Sequence, residues 1–512
     1  MMPRLIFPAV ESAPFFPILP LSDLSPAAPS FRFTASILPF AAMFRLIACL
    51  FLSLLFSTSP LAQGRSALPP AVSKALANAG IPTSAVGVVV QEVGASHPRL
   101  SVNAQQAMNP ASVMKLVTTY AALELLGPAS TWKTEVLATE PVTDGVLVGD
   151  LYLRGSGDPK LTAERLWLLL RQLRDRGVKD IRGDLVLDRS AFSLTDTGVS
   201  FDDQPLRPYN VGPDALLVNF KALRLTLLPS PAQKTVTVLP ELLPDNLEVI
   251  NLIKLGNNGC GEWKDALRPD LTRNDNRFRL VLTGSYSASC GEKIWNLGVM
   301  PHDQYVFGLV RLLWRELGGE LKGSVRDGLV PANARLLAAT ESPPVAEVVR
   351  DINKFSNNVM ARQLFLSLAQ QRSATPDLAA QAVSRWLMDK GLVFPELVLE
   401  NGSGLSRKEL ISPASLNRLL QNAWESALMP EFISSLPLTA VDGTMKKRLG
   451  SAGVAGRAHI KTGTLDGVKT IAGYVQDDHG RMQTVVFLVN HPNAALAQGA
   501  QDALLQWAYE GR

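Results

Sequence analysis

The chain has 512 residues, of which 46% are hydrophobic. This is enough for two or three cores, because a single core stops growing at about 250–300 residues. Only 19% of residues are charged and the net charge is +4, which argues against a nucleic-acid binder with a basic patch. We therefore expect a folded protein of more than one part, with no nucleic-acid partner.

Residues 43–64 have the layout of a secretory signal peptide. Met43 and Arg45 form a short basic start, and an apolar run too short to span a membrane stably follows. We interpret residues 1–42 as a misassigned extension ahead of the true start, with a long basic leader region as the alternative. The signal predicts export to the periplasm with at most loose membrane association.

Two cysteines remain after export, Cys260 and Cys290, because Cys49 is removed with the signal. An even number of cysteines in an oxidising compartment predicts a disulfide bond. Closing a loop of 30 residues would stabilise the fold by about 3–4 kcal/mol. Two free buried thiols are the alternative.

The first part of the mature chain predicts two strands followed by a buried helix. The strands are Ala85–Val93 and Arg99–Ala104, separated by a turn. Asn109 then suits a helix N-cap and Pro110 a first helical residue, with a stop at Gly127.

From residue 131 to 287 short β-rich runs alternate with turn residues, and one helical run covers Glu164–Arg176. We interpret 131–287 as one or two inserted accessory domains. Helices and strands then return in a pattern that predicts helices at Asp303–Leu317, 344–368, Pro413–Ala427 and Ala494–Tyr509, and strands at 457–464, 469–475 and 482–490.

The outer segments, 66–130 and 288–512, are therefore predicted to form one domain in which helices flank an antiparallel sheet. The fold class is α/β (α+β), with the β-rich segment 131–287 inserted into that domain.

Three short motifs carry the functional hypothesis: S-x-x-K at Ser112–Lys115, S-x-N at Ser356–Asn358 and K-T-G at Lys461–Gly463. Together they are the signature of serine β-lactamases and penicillin-binding proteins. Each is weak alone, because S-x-x-K recurs at Ser130–Lys133 and S-x-N also occurs elsewhere. Support for the hypothesis comes from their combination: the three motifs occur in the expected order, and they are predicted to lie at a helix start, in a loop before a helix and in a strand.

The chemistry suits these residue types. Ser112 and Lys115 are three apart and share a helix face, and a serine hydroxyl becomes nucleophilic when a base removes its proton. A partly desolvated lysine near a second cation has a lowered pKa, and Lys461 would be that cation. Taken alone, the pair would more often be a solvated helix face.

The other two motifs suit substrate handling. Ser356 could relay a proton to a leaving amine and Asn358 could bind a substrate amide. The simpler interpretation is that Ser356 and Asn357 only cap a helix. Lys461 with the hydroxyls of Thr462 and Thr464 could hold a terminal carboxylate. Gly463 would let a ligand backbone approach the strand.

Beyond these motifs, the chain carries G-S-G-D-P at 155–159, N-G-S-G-L-S-R at 401–407 and D-G-T-M at 442–445. With them it resembles the low-molecular-mass class C penicillin-binding proteins, the DD-carboxypeptidase/DD-endopeptidase group, over about residues 66–512. The long gap between Ser112 and Ser356 also fits that group, which fills it with inserted domains.

The resemblance implies a serine DD-peptidase that cleaves D-alanyl bonds of peptidoglycan stem peptides and crosslinks. Ser112 would attack the carbonyl and Lys115 would take its proton. The backbone N–H groups of Ser112 and Thr464 would form the oxyanion hole, and water would hydrolyse the acyl-enzyme. β-Lactams should acylate the same serine and remain bound.

The resemblance also implies that Arg407 contacts the substrate side chain, although a surface salt bridge is an equal alternative. Asp466, shortly after K-T-G, and Asp203, in the insert, are further candidates. An aspartate at 466 departs from the pattern of the group.

Other chemistries have little support in the sequence. It contains five histidines, no G-x-S-x-G serine elbow and no H-x-x-x-H or C-x-x-C spacing, so we expect no metal and no cofactor. Two alternatives stay open: a serine β-lactamase, and a non-catalytic wall-binding protein on the same fold. The large insert argues against the first and the complete set of motifs against the second.

Overall fold

The computed structural model describes residues 67–194, 201–275 and 277–511. The predicted signal peptide and the extension at 1–42 lie outside these residues. Within them, no helix is long and apolar enough to cross a membrane.

A five-stranded antiparallel sheet joins the two ends of the described chain. We call it the catalytic sheet because the K-T-G motif of the functional hypothesis lies on it. The early strand Val86–Glu92 pairs along its whole length with the late strand Met482–Asn490. Both are rich in valine and nearly all buried, as expected for strands covered on both faces. The strand order across the sheet is Ala458–Leu465, Val468–Gln476, Met482–Asn490, Val86–Glu92 and Leu100–Val102.

Helices cover both faces of the catalytic sheet. Pro70–Asn78 and Gln498–Tyr509 pack together over one face, around a core that includes Val88, Ile460 and Phe487. The other face carries a larger helical layer whose core runs through Lys115–Leu126. The remaining helices in this layer are Val345–Phe355, Asn358–Ser367, Pro376–Asp389, Pro413–Glu425 and Met429–Ser435.

The middle of the chain forms separate sheets around its own core, together with the helices Ala163–Asp175 and His302–Glu316. A mixed five-stranded sheet has the order Val325–Asp327, Leu185–Asp188, Leu151–Gly155, Lys133–Ala138 and Arg335–Glu341. A small sheet has the order Glu320–Leu321, Asp180–Ile181, Val146–Leu147 and Val142–Thr143. A three-stranded sheet has the order Thr235–Pro240, Ala222–Ser230 and Lys293–Gly298. The last sheet contains Leu247–Asn251, Arg277–Ser287, Lys254–Gly256 and Leu267–Asn274.

Strand pairing beyond residue 287 differs from the predicted boundary of the insert. Lys293–Gly298 pairs with Ala222–Ser230, and Arg335–Glu341 pairs with Lys133–Ala138. These strands complete sheets of the insert and make no pairs with the catalytic sheet. We therefore place the end of the inserted segment near residue 341 rather than at 287.

Cys260 and Cys290 form a disulfide bond in the insert, as the sequence predicts. It joins the irregular segment between Lys254–Gly256 and Trp263–Ala266 to the 3₁₀ turn Ala288–Cys290, which follows Arg277–Ser287. Cys290 is buried, and both cysteines belong to the core of the insert or pack against it.

Candidate active site

Ser112 lies in a single 3₁₀ turn, Ala111–Met114, directly before the α-helix Lys115–Leu126. We call it the nucleophile turn after the role that the sequence predicts for Ser112. The sequence predicted one helix beginning at Pro110, and this differs in detail because Ala111 adopts a left-handed conformation with φ 46°. Asn109 anchors the turn, since its Oδ1 accepts from Ala111 N at 2.9 Å and its Nδ2 donates to the Ser406 carbonyl at 2.8 Å.

Lys115 is fully buried, with 0% of its surface exposed. Its Nζ donates to Ser112 Oγ at 2.9 Å and to Asn358 Oδ1 at 2.7 Å, and a third bond goes to the Ser403 carbonyl. These three acceptors match the three donors of a lysine ammonium group, so the side chain has one fixed orientation.

Burial is the main reason that the pKa of Lys115 lies well below its usual value, because the charged form loses its hydration. The positive charges of Lys461 and Arg362 lower the pKa further, whereas the negative charge of Glu409 raises it. A lysine in this setting loses a proton more readily than a lysine in water does, which is the property that a general base requires.

Ser356 ends the helix Val345–Phe355 in a left-handed conformation, with φ 55° and ψ 37°. The helical run predicted at 344–368 is therefore two helices with a break at the S-x-N motif. Asn357 caps the second helix by accepting from Met360 N at 3.1 Å, so the capping interpretation holds for Asn357. The Ser356 hydroxyl has another partner, because it accepts a bond from Lys461 Nζ at 2.9 Å.

Lys461 lies on the edge strand of the catalytic sheet, Ala458–Leu465, and is also fully buried. Besides Ser356 Oγ, its Nζ donates to the Thr462 carbonyl at 2.7 Å. Burial lowers the pKa of Lys461 to about 7. The Thr462 hydroxyl donates to Thr444 Oγ1 at 2.8 Å, which ties the D-G-T-M segment to this strand.

Gly463 faces the nucleophile turn directly. A Cβ atom at this position would lie 2.2 Å from Thr470 Oγ1 and 2.9 Å from Ser112 N. Thr470 Oγ1 in turn donates to the Pro110 carbonyl at 2.7 Å. The glycine is therefore required by contact with the protein's own turn, and not only by the approach of a ligand, as the sequence suggested. Thr464, the next residue, is exposed.

The segment 400–404, here the GSG loop, covers the other side of the nucleophile turn. Gly402 has φ +68° and Gly404 has φ +77°, a region that favours glycine. A Cβ atom on Gly404 would lie 1.8 Å from the Ala111 carbonyl oxygen. The loop and the nucleophile turn are thus in direct backbone contact.

Arg407 and Asp466 are exposed and follow the GSG loop and the edge strand, respectively, and we call this exposed border the rim. Arg407 Nη1 donates to the backbone carbonyl of Asp466 at 2.8 Å. The Arg407 guanidinium also lies 4.9 Å from the centre of the Phe201 ring. Asp203 is exposed two residues after Phe201. The structure therefore joins Arg407 to the backbone of 466 and brings the Phe201 segment of the insert to the same rim.

Sequence reasoning missed several residues of the site. The Ser403 carbonyl and the Glu409 carboxylate act on Lys115, but neither belongs to the three motifs. Lys354, two residues before Ser356, is buried and forms an ion pair at 2.7 Å with the partly exposed Asp442. The available signal was position in the sequence, because Ser403 lies in the N-G-S-G-L-S-R run at 401–407 and Asp442 begins the D-G-T-M run.

Comparisons with known proteins agree with this geometry. A family model described as the D-Ala-D-Ala carboxypeptidase 3 (S13) family matches residues 68–510. The D-alanyl-D-alanine carboxypeptidase DacB of Haemophilus influenzae is 28% identical over 415 residues, covering 80% of this chain and 85% of the relative. The D-alanyl-D-alanine carboxypeptidase of Actinomadura sp. strain R39 is 30% identical over 438 residues, covering 82% and 80%.

The solved structures that this chain resembles include one of the same relatives. The crystal structure of penicillin binding protein 4 (dacB) from Haemophilus influenzae has a TM-score of 0.70 at 25% identity and covers 85% of this chain and 99% of that one. The same relative in complex with a β-lactam has a TM-score of 0.68 with the same coverage.

The fold is that of the penicillin-binding and serine β-lactamase class, in which helices flank an antiparallel sheet. The chain belongs to the D-Ala-D-Ala carboxypeptidase 3 (S13) family. The predicted family, fold class and serine-type carboxypeptidase activity are confirmed. The roles of individual residues remain predictions.

Proposed function

We propose that Ser112 is the nucleophile of this DD-peptidase and that Lys115 is its general base. The observation that carries this proposal is the 2.9 Å hydrogen bond between Lys115 Nζ and Ser112 Oγ, made by a lysine that is fully buried. The neutral amine would take the hydroxyl proton as the oxygen attacks a D-alanyl carbonyl carbon. Asn358 and the Ser403 carbonyl hold the amine in place for this step.

Ser356 and Lys461 form a second hydroxyl–amine pair with the same 2.9 Å separation. Asn358 bonds Lys115 and lies two residues from Ser356, so the two pairs are adjacent. In the proposal, Ser356 passes a proton toward the leaving amine while the acyl-enzyme forms. The proton that Lys115 took from Ser112 replaces the one that Ser356 gives to the leaving amine. Water then attacks the ester and gives one proton to Lys115, which passes it to Ser112 Oγ as the acyl bond breaks.

The edge strand supplies the groups that would bind the end of the substrate. Lys461 and the hydroxyls of Thr462 and Thr464 would receive the terminal carboxylate. The backbone N–H groups of Ser112 and Thr464 would stabilise the oxyanion. This is supported by the close approach of Gly463, the neighbour of Thr464, to Ser112 N.

The rim formed by Arg407, Asp466 and Asp203 would contact the side chain of the stem peptide. Arg407 carries an exposed positive charge there, which suits an acidic group on the substrate. We propose both carboxypeptidase and endopeptidase action, on stem peptides and crosslinks, in the periplasm. A relative solved with a β-lactam supports β-lactams as covalent inhibitors.

The test is incubation with purified crosslinked muropeptides, followed by mass analysis. Loss of one terminal alanine reports carboxypeptidase action, and separation of the two peptides reports endopeptidase action. Ser112→Ala should abolish both, whereas Ser130→Ala is a matched control. Ser130 carries the chance copy of S-x-x-K, but its hydroxyl bonds the Leu126 carbonyl at the end of the helix.

Three results would contradict the proposal. D-Alanine release by Ser112→Ala at the wild-type rate would exclude Ser112 as the nucleophile. Rapid, repeated release of hydrolysed penicillin by the wild type would favour the β-lactamase alternative instead. Binding of peptidoglycan without any product would favour the non-catalytic alternative.

A further inference from the structure

Glu409 is a fully buried carboxylate next to the proposed catalytic pair, outside all three motifs. Its Oε1 accepts three backbone N–H bonds, from Glu400 at 3.1 Å, Asn401 at 2.9 Å and Gly402 at 2.8 Å. Its Oε2 is buried and accepts no hydrogen bond from the described part of the chain. A single side-chain oxygen therefore holds three consecutive peptide groups of the GSG loop.

The loop that Glu409 holds is in contact with the reacting groups. The Ser403 carbonyl accepts from Lys115 Nζ, and the Gly402 carbonyl accepts from Thr118 Oγ1 at 2.6 Å, one turn along the same helix. Gly404 lies against the backbone of the nucleophile turn. A shift of the loop would therefore move both the amine of Lys115 and the turn that carries Ser112.

We propose that Glu409 is a positioning residue of this active site, which fixes the GSG loop against Lys115 and Ser112 and places one negative charge beside the proposed base. This inference rests on the proposed function, because it assigns Lys115 the role of base. It adds a residue that acts through the loop and through its charge, without touching the substrate.

The charges around Glu409 determine the sign of the electrostatic effect. Burial raises the pKa of Glu409, whereas its three backbone N–H bonds and the charge of Lys115 lower it and favour the carboxylate. Arg362 interacts with both Glu409 and Glu400, and Lys461 acts on Lys115 from the edge strand. The negative charge of Glu409 raises the pKa of Lys115, against the larger lowering by burial and by Lys461. Removing that charge while keeping the shape should therefore make Lys115 easier to deprotonate.

Two substitutions separate position from charge. Glu409→Gln keeps an acceptor oxygen for the three N–H groups but removes the charge, whereas Glu409→Ala removes both. The control is Asp477→Asn, since Asp477 is also fully buried and its Oδ1 accepts backbone N–H bonds from His479 and Arg481. The turn that contains Asp477 follows the C-terminal end of the strand Val468–Gln476. Thr470, which bonds the Pro110 carbonyl beside the nucleophile turn, lies near the other end of that strand.

The measured quantity is the rate of acylation by a fluorescent penicillin as a function of pH, with circular dichroism and thermal unfolding to confirm the fold. We expect Glu409→Gln to acylate with its acid limb displaced to lower pH than that of the wild type. We expect Glu409→Ala to lose acylation on the order of 10²-fold, the effect of a displacement of about 1 Å at the reacting groups. Asp477→Asn should keep the wild-type pH profile.

An unchanged acid limb in Glu409→Gln would overturn the charge role, and wild-type acylation by Glu409→Ala would overturn the positioning role. If Glu409→Ala does not fold, the Glu409→Gln profile still decides the first point. The rate of Glu409→Gln at its plateau then decides the second, because a drop as large as 10²-fold would contradict positioning through the retained acceptor. Failure of the proposed function is a separate result: the wild type would not be acylated, or Ser112→Ala would be.

Discussion

Gly404→Ala provides a direct test of the contact between the GSG loop and the nucleophile turn. Gly404 has φ +77°, and the left-handed region costs a residue with a side chain about 1–2 kcal/mol. The added Cβ would also lie 1.8 Å from the Ala111 carbonyl oxygen and 2.7 Å from Ser112 N. Both atoms belong to backbone, so no side-chain rotation can relieve the overlap.

The structure sets the magnitude of the effect. The contact with the Ala111 oxygen must lengthen by roughly 1.6 Å to reach ordinary van der Waals distance. Overpacking of this kind costs about 1–3 kcal/mol, so with the backbone strain the free energy of unfolding should fall by about 2–5 kcal/mol. A displacement of the nucleophile by about 1 Å should slow acylation on the order of 10²-fold.

The assay is stopped-flow or gel-based acylation by a fluorescent penicillin, with chemical unfolding measured on the same preparations. Gly450→Ala is the matched control, because it is a loop glycine without positive φ and a Cβ there would meet nothing within 4 Å. It should acylate and unfold as the wild type does. If Gly404→Ala acylates at the rate of the Gly450→Ala control, the loop does not position the nucleophile and the reasoning fails.

Three other predictions concern charge and crosslinking. Because the pKa of Lys461 is about 7, the KM for a D-Ala-D-Ala peptide with a free carboxylate should rise as pH increases above that value, whereas the KM for the peptide amide should not. Cys260→Ser with Cys290→Ser should lower the free energy of unfolding by about 3–4 kcal/mol in denaturant titrations and leave acylation intact, because the bond lies in the insert. Asp442→Asn should lower stability by about 1.5–3 kcal/mol in the same titrations, because the buried Lys354 loses its charged partner. Wild-type stability of either variant would refute the corresponding argument.

Hydrophobic periodicity was sufficient to predict a secondary-structure element where that element has one continuous buried face. The strands Val86–Glu92, Val468–Gln476 and Met482–Asn490 are buried along nearly their whole length, and all were predicted within a few residues. Helices with a mixed or short apolar face were missed, including Pro70–Asn78 and Pro376–Asp389. Their stability depends on packing against distant helices, which a local pattern does not report.

The break at Ser356 shows a different limit. The residues on both sides have helical character, so a continuous helix over 344–368 was the natural prediction. The left-handed conformation of Ser356 has no local sequence signal such as glycine. It is stabilised by contacts made far along the chain, among them the bond from Lys461, 105 residues away. Backbone strain of this kind is concentrated at functional sites.

The extent of the insert was also beyond local reasoning. The strands Lys293–Gly298 and Arg335–Glu341 look like ordinary strands, and nothing in their composition tells which sheet they join. Their partners, Ala222–Ser230 and Lys133–Ala138, are about 70 and 200 residues earlier, respectively. Pairing at that distance is decided by the whole fold.

The electrostatics of the site depend on the hydrogen-bond acceptors of its two buried lysines, none of which is a carboxylate in the part of the chain that the structure describes. Lys115 and Lys461 are both fully buried, and their hydrogen-bond acceptors are hydroxyl, amide and carbonyl oxygens, which carry no full charge. A carboxylate bonded directly to Lys115 would stabilise its protonated form and suppress the base. Glu409 Oε1 instead accepts hydrogen bonds from the backbone of the GSG loop. Its negative charge therefore acts on Lys115 through space, without a direct hydrogen bond. The acceptors of Lys461 Nζ are likewise a hydroxyl and a carbonyl oxygen, which suits its proposed role in binding the substrate carboxylate.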